Sequence, residues 1–247
     1  MSLRYHEIAE SGHRILNPFT DYKLDLLGEA VRLGPGTRRL DLACGKGEML
    51  CRCAARHGIT GVGVDLSEVF LAAAGRRADE LGVTGEVRFE HGDGTAFARG
   101  QAGAGYDVVS CVGATWIGGG LTGTIELMLP ALAGGGVLLV GEPYWISEPP
   151  PEALAALGFG REDCGTLGET LTRFEAAGTE LVEMVMADEE SWDRYMSSQW
   201  WPMSGWLTVN PGDPDAAEFR ETLGRARRSH LTHGRRYLGW GVFVLRP

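Results

Sequence analysis

Apolar positions along this chain recur first at helical spacing and then in short continuous runs, and the two rhythms alternate up to residue 145. "DYKLDLLGEAVRLG" (21–34) places Leu24, Leu27 and Val31 on one helix face, with Thr20 or Asp21 positioned to cap its start. "RRLDLA" (38–43) then reads as a buried strand, and "GEMLCRCAARHG" (47–58) as a helix stopped by Gly58. The pattern continues with a strand at 59–65, a helix at 67–82 capped by Ser67, and a strand at 86–93. A glycine-rich stretch leads to a strand at 106–114. "GTIELMLPALAGGG" (123–136) reads as a helix with a glycine stop, and "VLLVGEPYW" (137–145) as the next strand. Such alternation with apolar strands predicts a parallel sheet covered by helices on both faces.

The rhythm changes after Trp145. A proline-rich loop leads into a helix (146–158), and "TELVEMVMA" (179–187) reads as a strand. An aromatic-dense segment, "SWDRYMSSQWWPMSGWL" (191–207), and a further helix precede a final strand, "YLGWGVFVLRP" (237–247). The expected organisation is one domain over 1–247. It has an N-terminal helical cap (1–34), a cofactor-binding core (35–145) and an insertion or lid (188–236) between the last two strands.

Composition narrows the function classes. The 247 residues carry a net charge of −10 and 37 glycines. An acidic chain lacks the clustered Lys and Arg of a nucleic-acid surface, and its one basic run, Arg225–Arg236, reads as a solvated helix face and turn. Five irregularly spaced cysteines with no CxxC pair argue against a disulfide framework or a zinc site, so no metal is expected. Neither a signal-peptide core nor an 18-residue apolar run is present. A cytoplasmic protein with reduced thiols and no membrane contact is the expectation.

The chemistry centres on "RLDLACGKGEML" (39–50). A strand followed by a glycine-rich turn and a helix start could hold a nucleoside triphosphate, a dinucleotide or a sulfonium nucleoside. Lys46 is followed by Gly47 rather than by the Ser or Thr of a phosphate loop. A dinucleotide fingerprint would need a third glycine where Leu50 stands. Asp41 would repel a pyrophosphate but suits a ligand with an ammonium and a sulfonium. Asp65, ending the second strand, is placed to accept from ribose hydroxyls. Taken singly, Asp41 and Asp65 read equally well as caps or turn residues, and Asp93 as a turn former.

Together these stretches resemble the class I S-adenosylmethionine-dependent methyltransferases. "LDLACGKGE" resembles that family's first glycine-rich motif, "GVGVDLSE" its second-strand acid motif and "HGDGTAF" its adenine-holding motif. "YDVVSCVGATW" and "LMLPALAGGGVLLVGEPYW" are similar to its fourth and fifth strands. The resemblance implies a Rossmann-like, mostly parallel seven-stranded sheet with an antiparallel final strand, and S-adenosylmethionine as cofactor. It places Asp41 and the backbone of Ala43, Cys44, Gly45 and Gly47 by the methionine part. Asp65 and Leu66 would hold ribose and adenine, Asp93, Gly94 and Thr95 the adenine edge, and Cys111 the end of the fourth strand. Ala43 replaces the family's first glycine, which is tolerable if its φ is negative.

The acceptor is expected beyond the fourth and fifth strands. Glu142 is the preferred base or amine anchor, and Tyr144 a hydrogen-bond donor. His13, with His6, is a candidate base from the cap. Trp116, Trp145, Tyr195, Trp200 and Trp201 are candidate acceptor-binding aromatics, able to stack on a ring or hold a cation; an ordinary satellite core is the other reading of that segment. A small-molecule acceptor is favoured, because no Asn-Pro-Pro-Tyr or Asp-Pro-Pro-Tyr follows the fourth strand. A monomer or homodimer is expected. The competing functions are an aminopropyltransferase and a non-catalytic module that binds the cofactor and regulates a partner.

Overall fold

Seven strands form one sheet in the computed structural model, which describes residues 2–247. They are β1 (Arg38–Leu42), β2 (Thr60–Asp65), β3 (Val87–His91), β4 (Tyr106–Val112), β5 (Leu132–Trp145), β6 (Glu180–Met186) and β7 (Leu238–Arg246). The order is β3-β2-β1-β4-β5-β7-β6. The first five strands pair in parallel; β7 lies antiparallel between β5 and β6. The sheet is therefore mostly parallel and Rossmann-like, and the terminal hairpin-like pair closes one edge.

Helices α1 (Leu3–Ala9) and α2 (Asp21–Ala30) precede β1, and α3 (Glu48–His57) and α4 (Glu68–Leu81) follow β1 and β2. After β3 and β4 come α5 (Gly94–Gly100) and α6 (Leu121–Met128); α7 (Pro151–Leu157) and α8 (Leu167–Ala176) connect β5 to β6. The insertion folds into α9 (Glu189–Ser198), α10 (Trp200–Val209) and α11 (Ala216–Ser229), joined to β7 through a π-helical turn at His230–Gly234. Side chains supply the caps: Thr20 accepts from the Lys23 amide, Ser67 from Phe70 and Asp188 from Ser191. Gly58 and Gly82 end α3 and α4 in the left-handed conformation that glycine adopts without strain.

Alternating strand positions feed two cores. Leu40, Leu42, Val109, Cys111, Leu138 and Val140 face α5, α6 and α8. On the opposite face, Leu139, Val242 and Val244 pack on Leu24 and Leu27 of α2, while Leu50 and Ala54 of α3 meet Ala78 of α4. The connections leaving β1 and β4 run in opposite directions, so the turns after these adjacent strands diverge. That divergence opens the crevice in which parallel α/β sheets bind ligands.

Two elements differ from the sequence expectation. Gly94–Gly100 is a helix, nucleated by Asp93 as its cap, where the glycine content suggested a connecting stretch. The helix expected over 123–136 covers Leu121–Met128, and β5 begins at Leu132. Pro130 lies in a short 3₁₀ turn and ends the α-helix there, and the glycines that were read as its stop belong to the strand.

Candidate active site

The glycine-rich turn after β1 is built on three left-handed residues: Ala43 (φ +54°), Gly45 (φ +55°) and Gly47 (φ +66°). Ala43 does not have the negative φ expected of it; the turn keeps its shape and the alanine bears the strain. At Gly45 a Cβ would sit 2.6 Å from Leu16 of the cap, so close approach as well as backbone angle demands glycine there.

Asp65 fixes the turn from the end of β2. One carboxylate oxygen accepts from the Gly45 amide at 2.8 Å and the other from Ser67 at 2.9 Å. Leu66 beside it is 56% exposed, an apolar surface open to a planar ligand. Across the crevice Asp93 accepts from Ala96 through one oxygen only. A Cβ on Gly94 would lie 3.5 Å from Ile117, in ordinary contact. Thr95 donates to the Ile117 carbonyl at 2.6 Å and so ties α5 to the turn after β4.

Asp41 is buried within β1. Its neighbour in register, Ser110 of β4, donates to it, and Arg39, on the same face of β1, reaches the Ser110 oxygen at 3.1 and 3.2 Å. Burial pushes the Asp41 carboxyl upward, while Arg39 and the Ser110 hydroxyl pull it down. The sequence reading missed this buried Arg39–Ser110–Asp41 relay. Its signal was two opposite charges on one face of an otherwise apolar strand.

No cation faces these carboxylates from the turn. Lys46 points away and donates to the carbonyls of Glu10 at 2.7 Å and His13 at 2.6 Å. The lysine that most resembled a phosphate ligand instead grips the cap. An acid-lined crevice with a small-residue turn and an apolar floor fits a ligand bearing ammonium, hydroxyl and amine donors; it would repel phosphates.

The cap and the insertion meet at Glu10, which is fully buried. Its carboxylate accepts from the Tyr195 hydroxyl and the Gln199 amide, both at 2.8 Å, and pairs with His13. The other ring nitrogen of His13 meets the Ser198 hydroxyl, and the ring stacks on Tyr195 at 5.3 Å. The Leu16 carbonyl lies 3.1 Å from the same Tyr195 hydroxyl; burial and Glu10 push that hydroxyl well above the usual range. His13 and Tyr195 thus come together, engaged in a clasp between cap and insertion. Asn17 brings the cap onto the end of β4: a Cβ at Gly113 would meet its side-chain oxygen at 2.5 Å. The sequence reading singled out neither Glu10 nor Asn17.

Glu142 and Tyr144 share a face of β5, two residues apart. Glu142 is 4% exposed and accepts from the Thr115 hydroxyl at 2.6 Å. Burial pushes its carboxyl up to about 7, against the opposing pull of Thr115 and Arg173. The Tyr144 ring lies across Gly239 of β7, where a Cβ would approach it to 2.2 Å.

The remaining aromatics disperse. Trp116 is exposed beyond β4. Trp145, 1% exposed, bonds the Arg161 carbonyl and packs among Phe159, Cys164 and Leu238; it is a core residue and does not reach the crevice. Trp200 and Trp206 pack on the cap cluster around Tyr5, Met203 and Phe219, whereas Trp201 is 87% exposed. Cys111 is also core, with no surface to offer a ligand, and its thiol is pushed up by burial. The side chain of Cys44 packs toward Gly63 and leaves only its backbone to the turn. All five cysteines are free thiols. Among the described residues no helix is long and apolar enough to cross a membrane.

Comparison with known proteins bears on this geometry. A family model described as a methyltransferase domain matches residues 40–136. A SAM-dependent methyltransferase from Geobacter sulfurreducens, solved with S-adenosyl-L-homocysteine, is 47% identical; the match covers 100% of this chain and 98% of that one at a TM-score of 0.94. One from Thiobacillus denitrificans, also with S-adenosyl-L-homocysteine, is 47% identical over 99% of this chain and 98% of its own, at 0.93. The protein YjhP of Escherichia coli (strain K12) is 48% identical over 98% of this chain and 97% of its own length.

Proposed function

Because the chain belongs to the class I S-adenosylmethionine-dependent methyltransferases, we propose that it methylates a small molecule held above the ends of β4 and β5, with Glu142 taking the acceptor's proton. The enzyme uses S-adenosylmethionine, as the close relatives solved with its demethylated product support. Bound there, S-adenosylmethionine supplies a methyl group activated by a positively charged sulfur.

The chain's own residues then have separable tasks. Asp65, already holding Gly45 and Ser67, accepts from the ribose hydroxyls through its remaining lone pairs. The second oxygen of Asp93 accepts from the adenine amine, with Leu66 and Gly94 against the ring. Asp41 balances positive charge near the methionine part. The Glu10 clasp and Lys46 hold the cap over the turn and keep water out. Alignment of acceptor and methyl is the larger contribution, up to roughly 7–11 kcal/mol in model systems. The Glu142 carboxyl, poised near neutrality, is suited to hold a proton arriving from an oxygen or nitrogen acceptor. Tyr144 orients that acceptor, and Trp116 offers it an exposed ring.

The observation that carries this reading is the acidic crevice whose only turn cation, Lys46, is spent on the cap. Calorimetric titration of wild type and Asp65→Ala with S-adenosylmethionine, NAD and ATP tests it. Selective binding of S-adenosylmethionine that drops at least tenfold in the variant is expected. Binding of NAD or ATP in its place would reject the assignment.

A further inference from the structure

A hollow of about 290 Å³ lies on the outer side of the glycine-rich turn, between the cap and α4. Ser11 and Arg14 of the cap, Lys46, and Arg76, Arg77 and Glu80 of α4 line it, while Asp41, Asp65 and Asp93 do not. It is therefore a separate site from the crevice described above, joined to it only through Lys46 and the cap.

Charge in this hollow is unbalanced. Arg77 is satisfied, bonding Glu48 at 2.7 and 3.0 Å and Glu80 at 2.9 Å. Arg14 reaches the same two carboxylates only at 3.9 and 3.8 Å, without a hydrogen bond. Arg76 has no carboxylate within ion-pair distance among the described residues. Four cations, Arg14, Lys46, Arg76 and Arg77, thus meet three carboxylates, Glu48, Glu80 and, beside Lys46, Glu10, in a protein whose net charge is −10. Burial disfavours the Lys46 ammonium, Glu10 opposes this, and Arg76 adds a smaller push in the same direction as burial. Evenly dispersed surface charge in an acidic chain would not leave two guanidinium groups, Arg14 and Arg76, without a hydrogen-bonded carboxylate inside one concavity.

We infer that this hollow binds a phosphate-type dianion, with Arg14 and Arg76 as its two guanidinium ligands and Lys46 behind them. Guanidinium groups match the oxygens of phosphate in a planar, two-pronged geometry that carboxylates at 3.8 Å do not satisfy. The volume lies near the lower edge of small-molecule pockets, roughly 300–1,000 Å³, and has room for a phosphorylated metabolite as well as the free ion. The ligand would bridge the cap to α4 from outside, on the same segment whose carbonyls Lys46 grips from below. Occupancy and cap closure are then linked, and the linkage runs in both directions.

The test is calorimetric titration of the full chain with inorganic phosphate and, separately, glycerol phosphate, at ionic strength held constant with chloride. One saturable site is expected, weakened at least tenfold in both Arg14→Gln and Arg76→Gln. S-adenosylhomocysteine binding should persist in each variant, which confirms that they are folded. Equal affinity for the two probes identifies the free ion as sufficient; tighter binding of glycerol phosphate identifies a phosphomonoester. Heats no larger than those of chloride, or binding unchanged in both variants, would overturn the proposal.

Discussion

Ala43 stores backbone strain where a methyl group is tolerated but not favoured. A non-glycine residue in the left-handed region costs roughly 1–2 kcal/mol. Glycine would relieve this but gives back about 0.4–1 kcal/mol through the unfolded chain. Ala43→Gly should therefore stabilise the protein by about 1 kcal/mol or less, read as a higher urea midpoint at unchanged slope. Lower stability would mean that the alanine methyl earns packing energy that outweighs the strain. The residue types of the turn were readable because glycine, acid and lysine have few alternative uses at such spacing. The direction of Lys46 was not, since it depends on carbonyls more than thirty residues earlier in the chain. The interiors of Trp145 and Cys111 were hidden for the same reason: burial is decided by elements far away in sequence.

At the level of elements, the strand–helix rhythm of the first 145 residues was legible because each strand is apolar and each helix carries its own cap and stop. The seven-residue α5 was missed because its start, Asp93-Gly94, reads as a turn. The boundary of β5 was missed because three glycines suggest an end, whereas here they extend along a strand. The insertion was legible only as a composition. Its aromatics divide among packing on the cap, packing on the sheet and solvent, and the clasp between cap and insertion rests on Glu10, a residue with no motif. Glu10→Gln keeps one accepting oxygen but turns the other group into a donor facing His13. The loss should be about 1–3 kcal/mol. It should appear as faster proteolysis within the first 20 residues and weaker cofactor retention, with the sheet's unfolding slope preserved. An unchanged cleavage rate would show that the clasp does not hold the cap down.

For the whole molecule, pH acts through acids buried at the crevice. Glu142 has an ordinary value of 4.5 and is raised to about 7 in the folded state. Between those values the folded protein holds a proton that the unfolded chain has released. Its contribution to stability is full below about 4.5 and falls as pH rises through 7, by about 3 kcal/mol in all. Asp41, also raised by burial, slopes the same way. Glu142→Gln should flatten the fall in urea midpoint between pH 4.5 and 7. It should also remove the rise of kcat/KM through pH 7 expected of a base that must be ionised. A variant with the wild-type rate profile would assign the proton to another group.

The clasp has a further consequence for how the protein is made. Glu10 finds its partners at Tyr195 and Gln199, 185 and 189 residues later. At about 5–20 residues per second, a ribosome needs roughly 10–40 s to produce that separation. Until then Glu10 has only His13 of its own segment to pair with, although the turn that the cap covers is complete well before α9 is made. A premature stop between β5 and α9 leaves a chain that still contains the crevice but lacks the residues that clasp the cap over it.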